Sequence, residues 1–591
     1  MKDFLKYTLA TITGLFLTGV LLFFFLFSVV IGSIISSSDK DVIVKESSVL
    51  ELKLEGTLSE RALENPLADL FDINPLNSSQ SSVGLNDLLS SIKKAKNHSN
   101  IKGIYIEAKN LSASFASLEA IRKALIDFKE SGKFIISYAD QYTQGLYYLA
   151  SVADEVHLNP KGGLLWAGLA AQPMFYTTLL KNIGVDMQIF KVGTYKSAVE
   201  PYTETKMSQA NKEQVSVFLN DIWSHIVSGV SAARNISQEK LQEYADKMVL
   251  FQPTEFALNN HLVDKLSYRY DVQNAIKEKL NGEKANYISF KKMKHVFIPK
   301  DQTKKKDGNI AIYYAEGDIV DASNKFASAI VGESVVKDLK KLEENENIKA
   351  VVLRVNSPGG SAYASEQIWK AVVDLKAKKP VIVSMGDYAA SGGYYISAAA
   401  DHIIAEPTTL TGSIGIFAMI PSFEKVANKV GLNFDVVKTN KHADFGSIFR
   451  NFNADERQLL QFYIEEGYGL FIKRCADGRG ISEEEIRKIA EGRVWTGAKA
   501  KEIGLIDELG GLNDALDYAA SKAGLTTYNV RTYPTQPDFF EQLLQMTSQD
   551  MVKTYIENSK FKDLFNQAEY IERLSEDSFL QARLPYILNF Q

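Results

Sequence analysis

Apolar and polar positions change period several times along this chain, and each change marks an element. From Gly14 to Ile35 the sequence is almost wholly apolar, with no charge between Lys6 and Asp39. A helix of that length rises about 33 Å at 1.5 Å per residue, enough to cross a hydrocarbon core of about 30 Å. The run exceeds the about 7 to 15 residues of a cleaved leader's apolar core and has no A-x-A-like site after it, so residues 1–40 read as an uncleaved transmembrane anchor. Lys2 and Lys6 precede it, while Lys40 and Lys45 follow. That slight bias favours the bulk of the chain outside the cytoplasm.

Beyond the anchor, Ser47 to Leu58 alternates as a half-buried strand does, and so does Asn309 to Val320. Ala350 to Val355 predicts a strand, Ser361 to Lys376 a helix, Pro380 to Met385 a strand and Ser391 to Ala400 a helix. The same order is predicted earlier, with Gly103 to Glu107, Ser117 to Lys129 and Lys133 to Tyr138. Helices over Gln209 to Ala233 and Ser237 to Lys247 have later counterparts at Ala454 to Arg474 and Ser482 to Glu491. Strands alternating with helices predict a mainly parallel sheet covered by helices.

The two halves repeat each other. Asn100-Ile101-Lys102 returns as Asn347-Ile348-Lys349, 247 residues on (347 − 100), and the register holds without gaps to Lys191/Lys438. Asp72 to Gly84 reads as a surface-loop insertion in the first copy. The division expected is an anchor at 1–40, a first repeat at 45–299, a polar linker at 300–308, a second repeat at 309–536 and a tail at 537–591. The tail has no partner in the repeat, and its aromatic and charged mixture suggests helices docking on a surface or another subunit.

Composition narrows the function. The net charge of −5 leaves no basic field for nucleic acid. One cysteine, Cys475, excludes an internal disulfide. The histidines show no metal-ligand spacing, and no cofactor is implied.

Damage to the repeat is complementary. The second copy has Ala389-Ala390-Ser391-Gly392-Gly393 where the first has Tyr142-Thr143-Gln144-Gly145-Leu146, so Ser391 faces Gln144. The first copy has Tyr195-Lys196-Ser197 where the second has His442-Ala443-Asp444, so Lys196 faces Ala443. One copy keeps a serine and the other a lysine, which a chain derived from a self-associating ancestor tolerates if the working pair always spans two copies. Ser391 ends a strand among small residues at a helix start, where amides and helix dipole favour an oxyanion. Asn356-Ser357-Pro358-Gly359-Gly360 supplies further amides, and the first copy has lost these glycines. A serine needs a base. His402 and His442 lack a clear third member and read as structural. Lys196 serves if burial lowers its pKa, and Ser413 in Thr411-Gly412-Ser413 offers a hydroxyl to orient the amine, where the first copy has Trp166.

These motifs, with Gly193-Thr194-Tyr195-Lys196-Ser197-Ala198 and Leu410-Thr411-Gly412-Ser413-Ile414-Gly415, resemble those of the signal peptide peptidase A (protease IV) family of long, duplicated type. The resemblance runs from the anchor to about Gln536. It implies an α/β fold of two tandem ClpP/crotonase-like repeats behind a transmembrane helix. It further implies a serine endopeptidase with Ser391 as nucleophile, Lys196 as general base, Ser413 positioning the lysine, and Gly392 with Gly359 or Gly360 as oxyanion hole. The substrates implied are peptides, in particular signal-peptide remnants after their release. The implied setting is a bacterial inner membrane, single-pass, with a periplasmic catalytic part assembled as a homotetramer. The competing expectations are a crotonase-like acyl-CoA enzyme, which needs no serine–lysine pair, and a non-catalytic membrane scaffold descended from a protease.

Overall fold

The computed structural model describes residues 42–62, 82–296, 306–322, 329–535 and 581–584, with parts of 4–22. Most of the expected anchor lies outside these residues. Among the described residues no helix is long and apolar enough to cross a membrane.

Each repeat builds its own sheet, parallel in the first and parallel in the second except for Val494–Thr496, which pairs antiparallel with Leu410–Gly412. In the first, strands Ser82–Gly84, Ser48–Ser59, Ile101–Ser112, Phe134–Tyr142, Glu155–Leu164 and Lys265–Leu266 lie side by side in that order. In the second the order is Val494–Thr496, Leu410–Gly412, Val381–Ala390, Ile348–Ser357, Gly308–Glu316 and Tyr528–Tyr533. Ile348–Ser357 pairs in parallel with both neighbours, and Ile101–Ser112 does the same in its sheet. Central strands of this kind are covered on both faces, which is why they read as nearly continuous apolar runs. Val351, Val352, Leu353 and Val355 are all buried.

Helix Ala362–Lys376 packs Ile368, Trp369, Val372 and Leu375 inward and is capped by Ser361, whose hydroxyl accepts from Ala364 N at 3.1 Å. Its counterpart Phe115–Lys129 buries Ile121, Leu125 and Phe128 at the equivalent positions. The long helices Gln209–Arg234 and Ala454–Arg479 also correspond, each starting from a polar cap, Ser208 and Asn453.

Two expectations are corrected. The expected surface loop at Asp72 to Gly84 ends in a strand, since Ser82–Gly84 pairs in parallel with Thr57, Leu58 and Ser59; residues 63–81 lie outside the described part. The expected linker at 300–308 is shorter at its far end, because Gly308 already pairs with Tyr528 as the first residue of a strand. Of the tail at 537–591, expected as helices, all but residues 581–584 lies outside the described part, and Gln581–Arg583 form a strand.

That strand belongs to a third sheet, which joins the repeats: Ala329–Val331, Asp318–Val320, Gly359–Ser361, Gln581–Arg583, Phe417–Ser422 and Asp186–Lys191. Asp186–Lys191 comes from the first repeat and pairs antiparallel with Phe417–Ser422 of the second, from Asp186 opposite Ser422 to Lys191 opposite Phe417. The repeats are thus stitched at the main chain.

Candidate active site

Strand Val381–Ala390 stops at Ser391, and helix Gly392–Ser397 starts one residue later. The reversal is abrupt. Ser391 has φ 54° and ψ −112°, a conformation that L residues seldom adopt and that persists only where surroundings enforce it. Its amide donates to Gly412 O at 2.7 Å, which ties the turn to the neighbouring strand. Gly392 and Gly393 tolerate no side chain here: a Cβ on Gly392 would stand 2.7 Å from Ser365 Oγ, and one on Gly393 2.7 Å from Ser357 O.

Lys196 arrives from the other repeat. After strand Asp186–Lys191 the chain turns through Gly193 (φ 108°), where a Cβ would meet the backbone of Glu491 at 2.6 Å. Glu491 holds this turn twice, through its carbonyl on Tyr195 N (2.9 Å) and its carboxylate on Thr194 N (2.9 Å). Gln214 adds a third tie, donating to Tyr195 O at 3.0 Å and to Ser197 Oγ at 2.6 Å while accepting from Val494 N at 3.2 Å. Gly492 allows the lysine to pass, since a Cβ there would lie 2.7 Å from the Lys196 backbone.

The lysine ends fully buried, with Nζ 2.8 Å from Ser391 Oγ and 3.1 Å from both the hydroxyl and the carbonyl oxygen of Ser413. Ser413, like Ser391, has positive φ (49°), and its amide donates to Arg493 O at 2.7 Å. Burial without a countercharge pushes the Lys196 amine well below its ordinary range, because a desolvated ammonium is disfavoured.

The glycine-rich segment lies against the serine. Gly359 (φ 104°) comes so close to the helix start that a Cβ on it would be 2.8 Å from Gly392 N. Its own amide donates to Ser357 Oγ at 3.1 Å. Gly360 is pinned on its other side, where a Cβ would meet Ile319 O at 2.0 Å.

All the residues singled out in sequence therefore converge: Ser391, Lys196, Ser413, Gly359, Gly360 and Gly392. The histidines do not join them. His402 Nε2 pairs with Glu508 at 3.1 Å and the ring stacks on Tyr518, while His442 lies 3.9 Å from Glu456. In the first repeat, Gln144 starts an ordinary helix, and its Oε1 accepts from Ala167 N and Gly168 N, both at 3.0 Å. A side-chain amide fills the position equivalent to the serine site. Sequence reading missed Gln214, Glu491 and Gly492. They hold Lys196 through contacts made only when the repeats meet, and no local pattern announces them.

Comparison with known proteins agrees with the duplicated design. The model of peptidase family S49 matches twice, at residues 127–283 and 373–526, and that of Clp protease matches residues 315–409. Protease 4 of Salmonella typhi is 38% identical over 78% of this chain and 75% of its own length. Protease 4 of Haemophilus influenzae is 36% identical over 86% of this chain and 85% of its own. The chloroplastic serine protease SPPA of Arabidopsis thaliana is 32% identical over 82% and 70%. With two family matches on its two repeats and relatives of this likeness along most of its length, the chain belongs to peptidase family S49 and is a serine protease.

Proposed function

We propose that the protein is an endopeptidase with a serine–lysine dyad split across its two repeats. The observation that carries this is the buried Lys196 Nζ at 2.8 Å from Ser391 Oγ. The neutral amine takes the hydroxyl proton as Oγ attacks an amide carbonyl. Ser413, through its hydroxyl and carbonyl, keeps the amine aimed. The Gly392 amide, with that of Gly360 because Gly359 N is engaged by Ser357 Oγ, stabilises the oxyanion, an electrostatic contribution that mutagenesis elsewhere places at about 10²–10³ in rate per donor. Lys196 then returns the proton to the leaving amine, and water resolves the acyl-enzyme.

The apolar run Gly14 to Ile35 anchors the chain in a bacterial inner membrane, with residues 45–299 and 309–536 as two extracytoplasmic repeats. Its substrates are signal-peptide remnants and other small apolar peptides. A homo-oligomer, as a tetramer, covers the exposed Val430, Leu432, Phe434, Val436 and Val437, a patch that a monomer would leave to solvent.

The test is reaction with a fluorophosphonate probe followed by mass spectrometry. The adduct is expected on Ser391, and Lys196→Ala is expected to slow labelling by about 10² or more. Undiminished labelling in that variant would remove the lysine from the mechanism.

A further inference from the structure

Three strands that lead to the candidate site pass through one polar junction between the repeats. Glu316 ends strand Gly308–Glu316, Asn356 precedes Gly359 and Gly360, and Asp387 precedes Ser391. Asn356 ties the last two together, its Oδ1 accepting from Tyr388 N at 3.1 Å and its Nδ2 donating to Glu60 Oε1 at 3.3 Å. The Glu60 carboxylate is seated against the strand of Ser391, where a Cβ on Gly386 would lie 2.7 Å from its Oε1. Arg354 donates to both of its oxygens.

Glu316 enters this junction through a longer contact, its Oε1 accepting from Glu60 N at 3.4 Å. The charges facing it are the Glu60 carboxylate, the Arg354 guanidinium already held by that carboxylate, and Arg61. Arg61 is directed elsewhere, 4.5 Å over the Tyr314 ring and donating to Pro534 O at 2.8 Å. Asp387, beyond Glu60, is taken up by Ser117, and Asp318, on the segment after Glu316, by Arg583. Burial and the Glu60 carboxylate push Glu316 up to about 7 against the pull of Arg61 and Arg354.

The residues that follow Glu316 touch the oxyanion segment. Gly317 (φ 99°) donates its amide to Asn356 O at 3.0 Å, and Ile319 stands opposite Gly360. The contact is close, since a Cβ on Gly360 would be 2.0 Å from Ile319 O. An ionised Glu316 is drawn toward water, because a half-buried charge without its own cation is costly. Through the Gly317 turn that movement draws Ile319 off Gly360.

We propose that Glu316 is a positioning residue that works in its protonated form, holding Gly317–Ile319 against Gly360, and that its ionisation beside Glu60 loosens the oxyanion segment and slows turnover. The inference rests on the endopeptidase reading above. The protonated form is present below about pH 7 and is lost as pH rises through that value. Lys196 acts in the opposite sense, because its neutral form gains as pH rises. Turnover therefore has an acid limb from the dyad and an alkaline limb from Glu316.

The test is the pH profile of kcat for peptide hydrolysis by the full chain, Glu316→Gln and Arg61→Gln, each checked by circular dichroism and by fluorophosphonate labelling of Ser391. The parent's kcat is expected to fall as pH rises through about 7. Glu316→Gln keeps the size and the uncharged state, so it is expected to lose that alkaline limb and keep the acid one, with KM little changed. A merely structural Glu316 would shift kcat by the same factor at every pH. Arg61→Gln removes a charge that favours ionised Glu316, so its alkaline limb is expected at higher pH, and it decides the matter if Glu316→Gln does not fold. A parent without the alkaline limb, or a limb that the folded variants leave in place, overturns the proposal. Failure of every folded protein to hydrolyse peptides and to label Ser391 overturns the endopeptidase reading instead, so the two failures are distinct.

Discussion

At the residue scale, Lys196 bears most of the physics. Desolvation of an amine buried without a carboxylate partner favours its neutral form, the form the proposed general base would use. The same burial has a thermodynamic cost. Between its lowered folded-state pKa and the ordinary 10.5, the unfolded chain binds a proton that the folded chain does not. Stability therefore rises with pH across that window and is lost as pH falls through it. Lys196→Met removes the titration, so its denaturation midpoint is expected to exceed the parent's near about pH 7 and to approach it near about pH 10. An equal difference at both pH values would show that Lys196 stays charged in the fold. Ser391 carries the second residue-scale feature, its positive φ, which turns the hydroxyl out of the strand toward the lysine.

At the element scale, the site is made by ends rather than bodies of elements. Strand Val381–Ala390 delivers the serine, the turn after Asp186–Lys191 delivers the lysine, and the segment after Glu491 braces that turn. Gly492 occupies the tightest point, at φ 74° with the Lys196 backbone where its Cβ would be. Gly492→Ala must displace the lysine, and a shift on the order of 1 Å costs about 10² in rate. The expected result is a kcat lower by about that factor with the fold kept, measured by peptide hydrolysis alongside circular dichroism. Near-normal kcat would show that the turn relaxes without moving Nζ. The elements themselves were largely legible. Ser361 to Lys376 and Ala362–Lys376 differ by a cap residue, since a serine hydroxyl on the helix N-terminus marks the boundary in sequence as well as in space. The strand expected over Pro380 to Met385 runs on to Ala390, because Gly386 and Asp387 break its apolar pattern while Tyr388, Ala389 and Ala390 still pair with Leu410–Gly412.

For the whole molecule, the repeats share a buried polar junction as well as a sheet. Arg354 of the second repeat donates to Glu60 of the first at 2.8 and 3.0 Å, with almost no exposure on either side chain. Ser117, at the start of a first-repeat helix, donates twice to Asp387, four residues before Ser391. Burial and the nearby Glu60 push Glu316 up to about 7 and raise Asp387, so this junction holds its carboxyls partly by neutralising them. Arg354→Met leaves Glu60 buried without its cation, a change that costs about 3–5 kcal/mol. Urea unfolding is expected to register that loss. A change within about 1 kcal/mol, the range of exposed pairs, would mean that water reaches the junction.

The sequence by itself determined the duplication, the order of strands and helices, and which residues could act. Each copy's losses are written in its own residues, and apolar period follows from local covalent geometry. What it left open was decided by contact between the repeats. Lys196 and Ser391 are separated by 195 positions, and contacts between the repeats, among them the antiparallel pairing of Asp186–Lys191 with Phe417–Ser422, bring them together. The brace of Gln214, Glu491 and Gly492 belongs to the same class, since hydrogen bonds and close approaches between distant segments leave no periodic trace. So does the strand at Gln581–Arg583: three residues form no independent element, and they are ordered as a strand only because Gly359–Ser361 and Phe417 offer edges on either side.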